Sequence, residues 1–209
     1  MTKLIRIALV LALGVVAGPA QGQESSWGLD LTVHGGLDKY SALGLRSGLS
    51  HTDFSDSQQL KDTSRSVGAT AILRLGMVEL GAIGELGRPG KSNTTTVLGA
   101  LGGLNLDLRL IRIEALGELG GHRYGNALRN SAVIEDSKRS DWLAYVGLRP
   151  GVSLRFGEGG RWILGVWGFA RWDVTRKNIQ VTLRDGGGKG SYRLGGSQFG
   201  AALRLGISL

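Results

Sequence analysis

The stretch RWILGVWGFARW, residues 161–172, decides how the chain is read. It opens on Arg161-Trp162 and closes on Arg171-Trp172, ten residues later, with only apolar residues and glycines between. Two glycines, two β-branched residues and three tryptophans in twelve positions make a poor helix. The run is also too short to cross a bilayer as a helix, which needs about 20 residues. As a strand, the spacing acquires a meaning. An even separation puts Trp162 and Trp172 on one face. Ten residues rising about 3.3 Å each, tilted by about 40°, climb roughly 25 Å. That matches the apolar band between the two aromatic girdles of an outer-membrane barrel. The bland alternative is a strand of a soluble sandwich, and the rest of the chain has to choose.

The chain has 209 residues, enough for one domain, with 36 Gly, 3 Pro, no Cys and a formal net charge of +8. Zero cysteine excludes disulfides and thiolate metal sites. The N-terminal MTKLIRIALVLALGVVAGPAQGQESS joins Lys3 and Arg6 to an apolar run from Ile7 to Ala17 and then to small residues. This is the three-part pattern of a secretory signal peptide. Cleavage is expected after Gly22, with Ala20 as the alternative, leaving 23–209 as one barrel domain. Losing Lys3 and Arg6 takes the charge from +8 to +6. No later stretch is long and apolar enough to span a membrane as a helix.

Beyond residue 25 the apolar pattern has a period of two nearly everywhere. Trp27, Leu29, Leu31 and Val33 alternate with Asp30, Thr32 and His34; Val78, Leu80, Ala82 and Leu86 alternate with Glu79, Gly81, Ile83 and Glu85. Similar alternation runs through 64–76, 94–108, 111–124, 141–156 and 192–209, and the opening stretch is expected to run on to about Leu183. Short connections at Gly76, at Arg109-Leu110 and at GEGGR (157–161) alternate with longer ones at 37–64, 87–94, 124–140 and 184–191. The expected fold is all-β: an antiparallel up-and-down transmembrane barrel of eight strands. An extra hairpin from KYSALGLRSGLS would make ten. A bulge is expected at Pro150-Gly151.

One face is Leu, Ile, Val and Ala, with the aromatics Trp27, Trp142, Trp162 and Trp172 at strand ends, expected at the membrane interfaces. The other face carries mid-strand charges and the glycines Gly81, Gly99, Gly103 and Gly147, as a narrow interior that admits long side chains requires. The charged face is therefore read as the lumen. Its acids are Asp30, Glu79, Glu85, Asp107, Glu114 and Glu118; its bases are Arg74, Arg112, Arg149, Arg155, Arg171 and Arg204. Glu85, Glu118 and Arg149 are expected at one height. Trp167 and Phe169 are expected to plug the interior against Gly99 or Gly147.

The last strand, QFGAALRLGISL, places Gln198, Gly200, Leu203 and Leu205 in the order of the C-terminal signal read by the outer-membrane assembly machinery. With the leader and the strand pattern, the chain resembles the small eight-stranded bacterial outer-membrane barrels of the OmpX and OmpA membrane-domain type. It departs from them in ending on Leu209, where the family usually ends on Phe. The resemblance implies residence in the outer membrane, among lipid and lipopolysaccharide, as a monomer.

Charges confined to a narrow lumen must pair, because an unpaired one costs several kcal/mol. A structural network of Glu79, Glu85, Glu114, Glu118, Arg112, Arg149 and Arg204 is the first reading, and a narrow gated ion path the second. Some barrels of this size acylate or deacylate lipid A, one of them with a His-x-Ser pair. Here the residues two places after His34, His51 and His122 are Gly36, Asp53 and Tyr124, so the chain reads as non-enzymatic. His34 and His122 are read as satisfied lumen residues that could share the upper lumen; a metal site would need a third ligand, and no cofactor is implied. Arg176, Lys177, Arg184, Lys189 and Arg193 make the last long connection basic, suited to phosphorylated lipopolysaccharide. Export and this rim account for the charge without nucleic acid.

Overall fold

The computed structural model describes residues 27–41, 63–88, 94–108, 110–125, 140–182 and 189–209. The expected leader at 1–22 lies outside them, as do His51 and most of KYSALGLRSGLS. Among the described residues, ten strands run in chain order: β1 (Trp27–Ser41), β2 (Thr63–Leu75), β3 (Val78–Arg88), β4 (Thr94–Leu108), β5 (Ile111–Gly125), β6 (Ser140–Phe156), β7 (Trp162–Asp173), β8 (Lys177–Thr182), β9 (Lys189–Leu194) and β10 (Ser197–Ser208). Eight of them close an antiparallel barrel in the order β1-β10-β7-β6-β5-β4-β3-β2, and β8 and β9 form a separate two-stranded sheet. A hairpin not expected from the sequence, β8–β9 at 177–194, thus lies outside the barrel wall. The opening stretch does not run on to Leu183: β7 stops at Asp173, and a bend at 174–176 turns the chain into β8. At the other end of the sequence, β1 runs to Ser41, so 37–41 is strand where a loop was expected.

Local chemistry sets the tight turns. Gly76 takes φ 63° between β2 and β3, and Gly157, Gly159 and Gly160 take φ 79°, 64° and 67° between β6 and β7. Residues with a Cβ rarely adopt these angles. Following Cα partners once round the wall from Leu31, through Ala71, Ala82, Ala100, Leu119, Val146, Trp172 and Ser197, returns to Ser41, ten residues up the same strand. A stagger of that size in eight strands gives a tilt of about 40° and a backbone radius of about 8 Å. The last residue closes the seam: Leu209 N–H donates to Leu29 O at 2.8 Å, and Leu29 N–H to Leu209 O at 3.0 Å.

No bulge forms at Pro150. The β6–β7 register is the same on both sides of it, Leu148 opposite Ala170 and Gly151 opposite Trp167. Proline lacks the N–H for a ladder bond, and the ladder simply skips two positions there. The ring points outward over Gly168, where a side chain would otherwise stand 3.8 Å away.

The two faces are inverted relative to a soluble barrel. Along every barrel strand the outward side chains are mainly Leu, Val, Ile and Ala, and among the described residues of those strands every charged group except Lys39, Arg65, Arg88 and Arg123 points in. Trp27, Phe156 and Trp162 are outward at the tight-turn end, and Trp142, Trp172 and Phe199 at the opposite end. Trp172 and Phe199 meet edge to face at 5.9 Å. Leu205 stands outward between Val33 and Leu164, while Arg204 beside it is 2% exposed and inward. We therefore expect Leu205→Arg to destabilise the barrel by roughly 1–4 kcal/mol, depending on depth. The urea midpoint of folding into lipid vesicles reads this directly; an unchanged midpoint would reverse the assignment of the two faces.

Candidate functional site: the barrel lumen

Period-two alternation aims every second side chain of the eight wall strands at the axis, and the wall's small radius leaves those groups only one another as partners. The result is a stack of ionic tiers. Nearest the tight turns, the Arg112 guanidinium donates to Asp30 at 2.5 Å and Asp107 at 2.8 Å; Arg74 pairs with Asp30 at 3.0 Å and Arg155 with Asp107 at 3.3 Å. Glu79 is fully buried in this tier, 4.0 Å from Arg112, and its carboxylate accepts no hydrogen bond among the described residues.

The next tier is Arg204 on Glu114, which also accepts a hydrogen bond from the Trp167 indole at 3.0 Å. Above it, Arg149 bonds Glu118 and lies 2.7 Å from Glu85, while Arg171 bonds the same two carboxylates at 2.6 and 2.5 Å. Two cations and two anions thus form a closed, fully buried four-membered cluster. His34 Nε2 contacts Glu85 at 2.8 Å. Asp38, toward the loop end, accepts from Ser66 at 2.9 Å and from Gln198 at 3.0 Å. His122 belongs to a separate group, with Asp173 at 3.2 Å and a ring contact to Tyr124 at 4.2 Å. The two histidines thus lie in different clusters and do not share one.

The seven charges singled out in the sequence are therefore divided among three tiers: Glu79 with Arg112, Glu114 with Arg204, and Glu85 with Glu118 and Arg149. Arg171 completes the third. It carries a lumen-facing parity in the sequence, but nothing there gives its two carboxylate partners.

Trp167 and Phe169 bind the tiers together. The Arg204 and Arg149 guanidiniums lie 4.2 and 4.9 Å from the Trp167 ring centroid, and Arg149 and Arg171 lie 5.1 and 4.6 Å from that of Phe169. Desolvated cation–π contacts of this kind contribute up to about 2 kcal/mol. Trp167 also packs with Ile72, Ile83, Leu101 and Leu116 as an apolar layer inside the barrel. The glycines that make room are not those expected. Trp167 fills the space beside Gly151 and Phe169 that beside Gly200, while Tyr145 occupies Gly99 and Arg171 occupies Gly147. The Gly151 pairing was legible: the turn at 157–161 sets Phe156 opposite Trp162, and counting back puts Gly151 opposite Trp167.

Of the remaining sequence candidates, Gln198 points into the lumen and contacts Asp38 and Arg171, Leu203 and Leu205 point outward, and Leu209 pairs with β1. Among the described residues no group of three His, Asp or Glu side chains is placed to hold a metal ion.

A closed eight-stranded antiparallel barrel with an ionic lumen and an apolar outer wall has the architecture of the small outer-membrane barrels. The N-terminal β-barrel domain of Pseudomonas aeruginosa OprF is similar at a TM-score of 0.50 and 11% identity, covering 86% of this chain and 97% of that one. Neisserial surface protein A is similar at 0.49 and 10% identity, over 88% and 99% of the two chains. The outer-membrane protein AlkL, solved in lipid bilayers, is similar at 0.39 and 12% identity, over 92% and 94%. At such identity the likeness bears on fold alone. No protein-family profile and no curated protein sequence matches the chain.

Proposed function

We propose that the chain is a non-enzymatic barrel of the bacterial outer membrane, delivered there by its N-terminal leader. Its sealed lumen makes the wall rigid, and its long connections, including the β8–β9 hairpin, are the interacting surface. One observation carries this reading. At mid-height, Arg149, Arg171, Glu85, Glu118 and Trp167 are all at most 4% exposed, as in a lumen filled by its own side chains. Buried charges joined to this many partners hold one geometry. The non-enzymatic part is supported by the histidines. His34 and His122 point into the lumen onto carboxylates, away from the outward face where acyl chains would lie.

Planar-bilayer recording of the refolded barrel tests the seal. Conductance is expected to stay at background at physiological salt. Discrete, reproducible single-channel steps from the unmutated protein would put a narrow ion path through the Glu85–Arg149 tier in its place.

A further inference from the structure

The outward face of the wall carries an asymmetry that the sealed lumen does not use. Among the described residues of the barrel strands, the only outward charges are Lys39, Arg65, Arg88 and Arg123, all basic and all at the loop end. Register fixes their height. Lys39 is paired with Phe199, and Arg123 with Trp142, so these cations sit level with the loop-end aromatics. Arg65 stands ten residues above Leu75, and Arg88 ten above Val78, counted from the same tight turn. That is the spacing of Trp162 and Trp172, and it corresponds to roughly 25 Å along the barrel axis. Arg65 and Arg88 therefore stand at the edge of the apolar band, on two strands, β2 and β3, that carry no aromatic residue.

These two arginines are direct cross-strand partners. Like charges in that position repel and destabilise a sheet. Neither guanidinium has an acidic partner among the described residues. Below them, Val67 is paired with Leu86, and Leu37 lies directly opposite Arg65 on β1. These five residues line one recess of about 930 Å³, together with Gly87 and with serines and threonines of β2 and β4. Two arginine forks above an apolar floor, at the depth of the headgroups, match one kind of molecule: a lipid with a phosphate head and acyl tails.

Resting on the reading that this wall lies in a membrane, we infer that β1–β3 hold a phosphorylated lipid of the leaflet at the loop end. Arg65 and Arg88 clamp its phosphate monoester, and Leu37, Val67 and Leu86 take the upper part of its acyl chains. A monoester, with up to two charges, suits two guanidiniums better than a singly charged phosphodiester does.

Native mass spectrometry of the protein from zwitterionic micelles tests the site, with bisphosphorylated lipid A, the same lipid after phosphatase treatment, and phosphatidylglycerol as probes. We expect lipid A to bind best and dephosphorylated lipid A worst. Arg65→Gln with Arg88→Gln should weaken lipid A binding by about tenfold or more, at about 1 kcal/mol for each cation. Arg123→Gln, on β5 and bonded to Ser140 at 3.1 Å, should change it by less than about twofold. Equal binding of the phosphorylated and dephosphorylated lipids, or an unchanged affinity in the double variant, overturns the site. Displacement of lipid A by millimolar inorganic phosphate also overturns it, because the ligand would then be free phosphate. Folding gives a second readout. In zwitterionic micelles the double variant should melt at or above the temperature of the parent, whereas with lipid A present it should melt below the parent. A protein that folds in buffer without detergent would instead sink the membrane reading itself.

Discussion

Glu118→Gln lowers the stability of the barrel by about 3–5 kcal/mol, the expected cost of removing one partner from a buried ion pair. Glu118 is 3% exposed and bonds both Arg149 and Arg171. Without its charge, two buried guanidiniums share Glu85 alone, and Glu85 also serves His34. Glu79→Gln is the internal comparison. Glu79 is equally buried, but its nearest cation is 4.0 Å away, and that cation keeps Asp30 and Asp107. We expect it to cost no more than about 1 kcal/mol, because no hydrogen bond is lost. Urea titration of folding in lipid vesicles measures both. Equal losses would mean that the tiers act as one diffuse charge field rather than through these contacts. A second comparison separates charge from shape. Glu118→Leu with Arg149→Leu should cost less than the two single changes summed, since an apolar pair leaves neither charge orphaned.

The alternation that gave the fold also gave the lumen, and for one physical reason. In a wall eight strands round, side-chain direction is a parity that a single strand reveals. Asp30, Glu114 and Arg204 could therefore be assigned inward from their own neighbours. Who meets whom is another kind of fact. Arg204 on β10 reaches Glu114 on β5, and Glu85 on β3 reaches Arg171 on β7. Such contacts cross the barrel and depend on the ten-residue stagger accumulated over eight registers, four of which pass through long connections. Hence Gly151 could be counted from its tight turn, but Gly200, opposite Phe169 across the β8–β9 excursion, could not. The break after Asp173 was hidden for a related reason. Lys177–Thr182 has ordinary strand propensity, and only the pairing of β7 with β10 shows that these residues leave the wall. Pro150 failed as a bulge signal because an outward proline can be passed by a ladder that skips two pairs.

Trp167→Ala is the change expected to open the lumen. The indole is 0% exposed and sits among Ile72, Ile83, Leu101 and Leu116. Its removal costs about 3–5 kcal/mol in lost burial and cavity. It also takes the ring away from Arg149 and Arg204 and a donor away from Glu114. Arg149→Ala removes a side chain of comparable size but leaves the indole and the apolar layer in place. In planar bilayers we therefore expect small discrete steps from Trp167→Ala and silence from Arg149→Ala; the reverse result would make the ionic tier the seal. The pairing of Trp167 with Gly151 permits a sharper test. A side chain at Gly151 would run into the indole, so Gly151→Leu alone should prevent folding or expel the ring. Combined with Trp167→Ala, the same leucine enters the vacated space from the neighbouring strand. The double variant should then fold and fall silent again, because the seal depends on apolar volume at that height and not on which strand supplies it.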